Sequence, residues 1–192
     1  MRIIGRIAFP IFAYLIVQGF LHTKDLKKYI KKLLLTAVIT EPIFNLAFFH
    51  KVFYVNRQNV LFTFVIGLMT LYYLQKAEEN PQNGNSGLLP KIIIIACGML
   101  AVDFLKTDYQ AHGVLVICLF YLFRKDPVME KIAAMIPLSY EPCVFFSLIP
   151  LYLYNNERGC EYKEIARLFY LFYPAHLLIL YMLFNILNIG KI

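Results

Sequence analysis

The sequence predicts an all-α, polytopic helical membrane protein. Sixty per cent of its 192 residues are hydrophobic, the mean hydropathy is +0.62, and apolar runs recur from one end of the chain to the other. Because roughly 20 residues cross a hydrocarbon core ~30 Å thick, the chain has room for about seven transmembrane helices, within a range of about six to eight. We expect one domain over residues 1–192, without an extramembrane domain.

The first five spans follow from apolar runs separated by polar links. We expect helices over residues 3–21, 33–49, 60–74, 91–105 and 114–123. The fifth run is short, so part of the link over 107–113 should be helical at membrane depth. The polar loop over 76–90 is rich in Asn, Gly and Pro, which predicts a flexible connection.

The remaining apolar stretches are interrupted by prolines. Residues 129–154 contain Pro137, Pro142 and Pro150, which fits either one kinked helix or a re-entrant piece followed by a short helix. We prefer one broken span. The last span, over 167–189, carries Pro174 and His176 near its middle, and we expect His176 to face protein or a cavity.

The net charge of +7 indicates membrane topology rather than nucleic-acid binding, because the basic side chains lie at the ends of apolar runs. The basic segment, defined here as residues 24–32, has the highest density of lysines. The positive-inside rule therefore places it in the cytoplasm and Met1 outside. Three basic residues would fall on the outer side and reduce the excess of positive charge on the cytoplasmic side. They are Arg158, Lys163 and Arg167.

Motifs of metal sites and common soluble enzymes are absent from the sequence. Its four cysteines form no CxxC pair and have no metal-ligand spacing, so we expect neither a disulfide framework nor a metal. No Rossmann, P-loop, HExxH or GxSxG signature occurs.

Ionisable residues within the spans are the first functional candidates, because each costs about 2.5–3.5 kcal/mol on insertion scales. They are Arg6, Glu41, Asp103, Glu141 and His176. Arg6 lies within reach of the interface, so a structural role is equally open. For Glu41, beside Pro42, the structural alternative is a buried ion pair with Arg6.

Histidine spacing suggests further chemistry. His112 follows Asp108 by four residues, so on a helical turn the carboxylate would hold one ring nitrogen and leave the other to act as a general base. The alternative is a solvated link. His176 lies on the same helix as Tyr170, Tyr173 and Tyr181, and the alternative to a functional role is a hydrogen bond to a carbonyl in a packed bundle.

Eight short segments resemble, in the same order, those of the TraX family. They are residues 4–13 (IGRIAFPIFA), 19–23 (GFLHT), 40–45 (TEPIFN), 59–63 (NVLFT), 107–109 (TDY), 151–156 (LYLYNN), 158–159 (RG) and 172–176 (FYPAH). This family includes the conjugative pilin acetyltransferase and is related to broader transmembrane acyltransferases. The resemblance covers nearly the whole chain.

The resemblance implies an acetyltransferase of the bacterial cytoplasmic membrane that uses acetyl-CoA from the cytoplasm. The catalytic candidates are His176, Glu41, Arg6, Asp108 and Tyr173. Candidates for contact with the acceptor are His22, Asn45, Asn59, His112, Asn155 and Arg158, and Tyr109 also matches the family. We expect His176 to act as the base or as its partner, Arg6, Asn45 or Tyr173 to donate to the thioester oxygen, and Glu41 or Asp108 to orient an imidazole.

The basic segment is chiefly a topology signal and a contact for anionic lipids. It could also hold the phosphates of CoA through Lys24, Lys27, Lys28, Lys31 and Lys32.

One departure from the family concerns the first helix. Members typically begin with a further span that carries an Asp-His pair, whereas this chain starts where their second span would begin. We therefore expect either a truncated start or a shortened relative that lacks the first helix. If the Asp-His pair supplied the catalytic base, this polypeptide alone would be inactive.

Two other classes fit the same features. Proline-broken spans with carboxylates at depth also describe small proton-coupled transporters, and a structural membrane subunit would follow from a missing helix. The acceptor is open among a peptide N-terminus, a glycan and a lipid-linked hydroxyl. Membrane lipids are expected partners, nucleic acid is not, and both a monomer and a homo-oligomer fit the sequence.

Overall fold

This computed structural model describes residues 2–79, 87–154 and 163–186, with side chains for 5–79, 87–154 and 170–183. Within these parts the protein is all-α, with helices joined by short links and no β-strand. The α-helices are α1 (Arg2–His22), α2 (Leu26–Phe49), α3 (Val60–Glu79), α4 (Leu88–Phe104), α5 (Gln110–Leu122), α6 (Pro127–Met135), α7 (Leu148–Leu153) and α8 (Lys163–Ile186), with 3₁₀ turns at Ile136–Leu138 and Pro142–Ser147.

The first five predicted spans are confirmed as helices, some with extra turns. α2 starts at Leu26 because the Asp25 side chain caps it by accepting a hydrogen bond from the Lys28 N–H at 3.0 Å. Most of the basic segment is therefore helical. α5 starts at Gln110, so part of the link before the fifth run is helical, as expected.

α5 lies at the centre of the bundle. Val116, Ile117, Cys118 and Phe120 have no exposed surface, and the helix packs against α1, α3, α4 and α6. A helix buried on every side is apolar all round, so its sequence shows no amphipathic period.

The single broken span preferred for residues 129–154 is wrong, because this region folds back on itself as a hairpin. The Lys131 ammonium lies 4.8 Å from the centre of the Tyr152 ring, and Ser147 Oγ lies 3.7 Å from Met135 Sδ. The two pairs are nearly symmetric about Glu141. The arms, 127–138 and 142–153, are therefore antiparallel, and the three prolines lie in the two arms rather than at a kink in one helix.

The hairpin changes the end of the bundle at which α8 begins. Tyr170 interacts electrostatically with Tyr29, near the start of α2, and Tyr173 interacts with Glu41, further along α2. α8 thus runs parallel to α2, and Lys163 lies at the end of the bundle that carries the basic segment. The expectation that the start of α8 lies on the opposite side is wrong.

We call this end, with His22 and the basic segment, the basic end. The opposite end, with Arg2 and Phe49, is the cleft end. Three described helices are long and apolar enough to cross a membrane, judged by length and composition: Gly5–His22, Leu26–Phe49 and Val60–Glu79. Shorter apolar helices are Gln110–Leu122, Pro142–Leu153 and Tyr170–Leu183. The count of seven spans is not confirmed.

Candidate functional site

Glu41 is held by an asparagine from another part of the chain. Asn59, just before α3, donates to Glu41 Oε2 from its backbone N–H at 3.1 Å and from Nδ2 at 2.6 Å. Asn59 Nδ2 also donates to the Ala37 carbonyl at 2.9 Å, and its Oδ1 accepts from the Leu61 N–H at 3.0 Å. Asn59 therefore caps α3 and fixes the Glu41 carboxyl at the same time. The alternative of a Glu41–Arg6 ion pair is wrong.

Asn45 lies beside Glu41, one helical turn further along α2. It is 2% exposed, and its Nδ2 donates to the Val52 carbonyl at 3.5 Å. Asn45 Oδ1 has no hydrogen-bond partner among the described residues. A buried acceptor without a donor is costly, so this oxygen is free to accept a hydrogen bond from a water or a ligand.

Two tyrosines connect this cluster to the cleft end. Tyr173 on α8 interacts electrostatically with Glu41, Asp108 and Tyr109. Tyr109 stacks on Phe9 with ring centres 3.6 Å apart. Burial raises the pKa of Tyr109, against the opposing effect of Arg6, so its phenol stays protonated and remains a hydrogen-bond donor.

Arg6 pairs with the tip of the hairpin. Its guanidinium lies 3.2 Å from Glu141 Oε1, and both side chains are about one quarter exposed. The same guanidinium lies 5.4 Å from the centre of the Tyr109 ring. Arg6 thus joins α1 to the hairpin and to the link before α5.

Asp108 pairs with Arg57, which the sequence analysis did not single out. Asp108 Oδ1 accepts from Arg57 Nε at 3.1 Å and from a terminal guanidinium nitrogen at 2.9 Å. The link around Asp108 is strained, because Lys106 and Gln110 have φ of 53° and 47°. Left-handed backbone at non-glycine residues is held only where its surroundings impose it, and it concentrates at functional sites.

The predicted pairing of Asp108 with His112 is wrong. His112 is exposed, and its ring lies 5.4 Å from that of Tyr140, edge to face. Asp103, one of the ionisable candidates within the spans, accepts a hydrogen bond from the Ala111 N–H at 2.9 Å. None of the described residues holds a nitrogen of His112 in the orientation that a general base needs.

Some of these side chains line a cleft of about 710 Å³ at the cleft end, whereas Glu41, Asn45, Asn59 and Tyr173 are not among its walls. Its walls include Arg6, Arg57, Lys106, Asp108, His112 and Tyr140. A volume of this size is typical of small-molecule sites. The cleft is therefore large enough for a small ligand, with charged groups of both signs on its walls.

His176 lies apart from these carboxylates. Its Nδ1 lies 3.1 Å from the Phe172 carbonyl, one turn earlier on α8, and its ring is in contact with those of Phe172 and Tyr173. This matches the structural alternative of a histidine bonded to a carbonyl. Because a carbonyl only accepts, Nδ1 is the donor in this contact. No described residue bonds to Nε2.

The predicted cofactor-binding lysines lie at the basic end, away from the cleft. All five side chains are exposed, and about 20 Å of helix separates Lys28 from Glu41 at 1.5 Å per residue. Lys24 lines a second cleft of about 400 Å³ with Glu78 and Arg124. His22 is also at this end, with Nδ1 2.8 Å from the Gln18 carbonyl.

The structure thus brings together Arg6, Glu41, Asn45, Asn59, Asp108 and Tyr173 at the cleft end, and places His22 and the five lysines elsewhere. Asn155 and Arg158 lie outside the described residues. Arg57 was missed because it lies 51 residues before Asp108, in a polar link that periodicity does not interpret. No group of three or more His, Cys, Asp or Glu side chains in the described part could hold a metal ion.

Comparison with known proteins agrees with the resemblance seen in the sequence. A fimbrial protein of Dichelobacter nodosus, described as "Probable fimbrial assembly protein FimC, serogroup H1", is 24% identical over 205 residues, which cover 94% of this chain and 81% of the relative. No solved structure matches the chain. The profile of the family described as TraX protein matches residues 1–184. This helical membrane protein therefore belongs to the TraX family.

Proposed function

We propose that this protein is a membrane acetyltransferase that moves an acetyl group from acetyl-CoA to an acceptor bound in the 710 Å³ cleft. One observation carries the proposal. Asp108 is fixed by Arg57 in the wall of an open cleft, and Tyr173 interacts electrostatically with both Asp108 and a second carboxyl group, Glu41. Acyl transfer needs a base, donors for the developing oxyanion and exclusion of water, and a half-buried polar layer offers all three.

The residues divide into roles by their chemistry. Asp108 or Glu41 takes the proton of the acceptor as its nitrogen or oxygen bonds to the acetyl carbon. Arg6 and the protonated phenol of Tyr109 are donors to the carbonyl oxygen, and Tyr173 is a third candidate. The carbon–sulfur bond then breaks, and the CoA thiolate receives the proton. His176 remains a second candidate for the base, because Nδ1 is engaged with the Phe172 carbonyl and no described residue bonds to Nε2.

The donor binds first at the basic end in this proposal, and its thioester must then reach the cleft past the packed core that separates the two ends. The lysines of the basic segment attract the CoA phosphates, and the positive-inside rule makes this end cytoplasmic. With the hairpin, Lys163 and Arg167 of α8 count toward the same end, so the charge bias is larger than the sequence alone indicated. The protein is then a multi-pass protein of the bacterial cytoplasmic membrane.

The similarity to a fimbrial assembly protein supports a pilus-related acceptor. We propose a fimbrial subunit as the acceptor, with a glycan or a lipid-linked hydroxyl as the alternatives.

Thiol release from acetyl-CoA by the purified protein in lipid nanodiscs tests the proposal, with a fimbrial subunit preparation as acceptor. Asp108→Asn should lower the rate by about 10²-fold or more if Asp108 is the base. Asp126→Asn is the matched control, because Asp126 is exposed, lies outside both the cleft and the basic segment, and caps a helix as asparagine also does. Equal rates for wild type and Asp108→Asn would exclude Asp108 from the chemistry. Absence of thiol release from the wild type would contradict the proposal.

A proton-coupled transporter is the second candidate. Clefts open at both ends of the bundle, while Phe64, Leu68, Ile117 and Phe120 fill the space between them. Two openings on either side of a packed barrier are what alternating access requires. Uptake into proteoliposomes that needs a pH gradient and no acetyl-CoA would favour this function.

A further inference from the structure

The first arm of the hairpin carries two adjacent charged residues inside the bundle. Glu130 is 4% exposed and Lys131 is 5% exposed. Both lie close to the basic end, far from the cleft, and neither takes part in the proposed acetyl transfer. Burying ionisable groups is expensive, so such residues are functional candidates by default.

The two residues do not satisfy each other. Glu130 Oε1 has no hydrogen-bond partner among the described residues, and the Lys131 ammonium lies instead over the Tyr152 ring at 4.8 Å. Glu41 is different, because Asn59 gives its carboxyl two hydrogen bonds. An ionised carboxylate without donors is strongly disfavoured in an apolar interior, whereas the neutral acid is tolerated.

The surroundings of Glu130 are aromatic. Tyr14 of α1 interacts electrostatically with both Glu130 and Tyr154, and its hydroxyl shares a hydrogen bond with Gln18. Tyr14 is 1% exposed. Among the described residues, the titratable groups that interact with Glu130 are thus Tyr14 from α1 and Lys131 from α6 itself, and these two in turn contact Tyr154 and Tyr152 of the second arm and its end.

An exposed carboxyl lies one turn before Glu130, at the basic end. Asp126 is exposed and caps α6, with Oδ1 accepting from the Val128 and Met129 N–H groups, each at 3.1 Å. Glu130 follows Asp126 by four residues, which places the two on the same side of α6 about one turn apart. Asp126 is therefore the exposed carboxyl nearest to Glu130 along the chain.

We propose that Glu130 is a proton-binding site inside the bundle, loaded and emptied from the basic end through Asp126. The proton adds to or leaves a carboxylate oxygen of Glu130, with Asp126 and solvent as its source and sink. This site is independent of acetyl transfer. It gives the hairpin a function of its own, which is to hold one exchangeable proton next to α1.

Infrared difference spectroscopy of the protein in lipid tests the proposal, because a protonated carboxylic acid has a carbonyl stretch distinct from that of a carboxylate. The wild type should show a protonated-acid band at neutral pH that shifts in D₂O and declines reversibly as the pH is raised. Glu130→Gln should lose this band, and Glu79→Gln, at an exposed carboxyl of the same end, should keep it.

Absence of the band from the wild type at neutral pH would overturn the proposal whatever the variants do. Persistence of the band in folded Glu130→Gln would also overturn it, because another acid would then hold the proton. Glutamine has nearly the shape of the neutral acid, so the variant should fold, and Glu130→Leu is the second variant. The infrared band is measured without acetyl-CoA in the wild type and in the variants. A failure of the proposed acetyl transfer therefore leaves this test intact.

Discussion

Asn59→Ala should destabilise the protein strongly, because Asn59 joins the Glu41 carboxyl of α2 to the start of α3. The side chain is fully buried and makes three hydrogen bonds, one of them to a carboxylate oxygen at 2.6 Å. A hydrogen bond to a charged group contributes about 1.5–3 kcal/mol and a helix cap about 1 kcal/mol, so we expect a loss of about 3 kcal/mol. For a chain of this length that corresponds to a fall of about 6–12 °C in the melting temperature.

Thermal unfolding in detergent, followed by the loss of helical circular dichroism, measures this change. Asn56→Ala is the matched control, because Asn56 is exposed in the same link and its one hydrogen bond, from Lys106 Nζ, is 3.4 Å long. The control should lose less than about 0.5 kcal/mol. If the two variants unfolded within about 1 kcal/mol of each other, Asn59 would not be the link between Glu41 and α3.

Two further substitutions test the packing around the cleft by the same unfolding measurement. Gly113→Ala should lower the free energy of unfolding by about 1–3 kcal/mol, because the new Cβ would lie 2.6 Å from Thr63 Cγ2. Gly5→Ala is the control and should leave the free energy of unfolding unchanged, because no atom lies within 4 Å of its new Cβ. Equal stability of the two variants would contradict the close packing of α3 and α5. Lys106→Gly should raise the free energy of unfolding by about 1 kcal/mol, because the left-handed backbone at this position suits glycine. A lower free energy of unfolding would show that the Lys106 side chain stabilises the protein by more than the backbone strain costs.

The first five helices could be predicted because each one contains a long apolar run between polar links. The hairpin could not, because its two arms together are as long as one span and prolines mark a kink and a turn equally well. Only contacts between distant residues, such as that of Lys131 with Tyr152, distinguish the two. The direction of α8 could not be predicted for the same reason, because it depends on whether residues 127–153 cross the bundle once or fold back.

The candidate site was predictable as a set of polar residues at depth, but its pairings were not. Glu41 and Arg6 stand out by the cost of burying a charge, and Asp108 by its spacing to His112. Their partners Asn59, Glu141 and Arg57 lie 18 to 135 residues away, and sequence spacing instead suggested local pairs such as Asp108 with His112. Tertiary packing decided each pairing.

Glu130 was overlooked for a related reason. It lies three residues after Pro127 and one residue after the predicted start of the span over 129–154. A charged residue at the start of a span normally remains in solvent. Folding of the arm against α5 buries it.

The central claim is that the Glu41 cluster and the Asp108 cleft form one acetyl-transfer site. The most direct measurement is thiol release from acetyl-CoA by wild type, Glu41→Gln, Asp108→Asn and the double variant. Substitutions of residues that act as a unit have non-additive effects on the rate. We therefore predict that each single variant releases thiol about 10²-fold more slowly or worse, and that the double variant is no slower than the slower of the two single variants. Full activity in either single variant, multiplied losses in the double variant, or an inactive wild type would contradict the account.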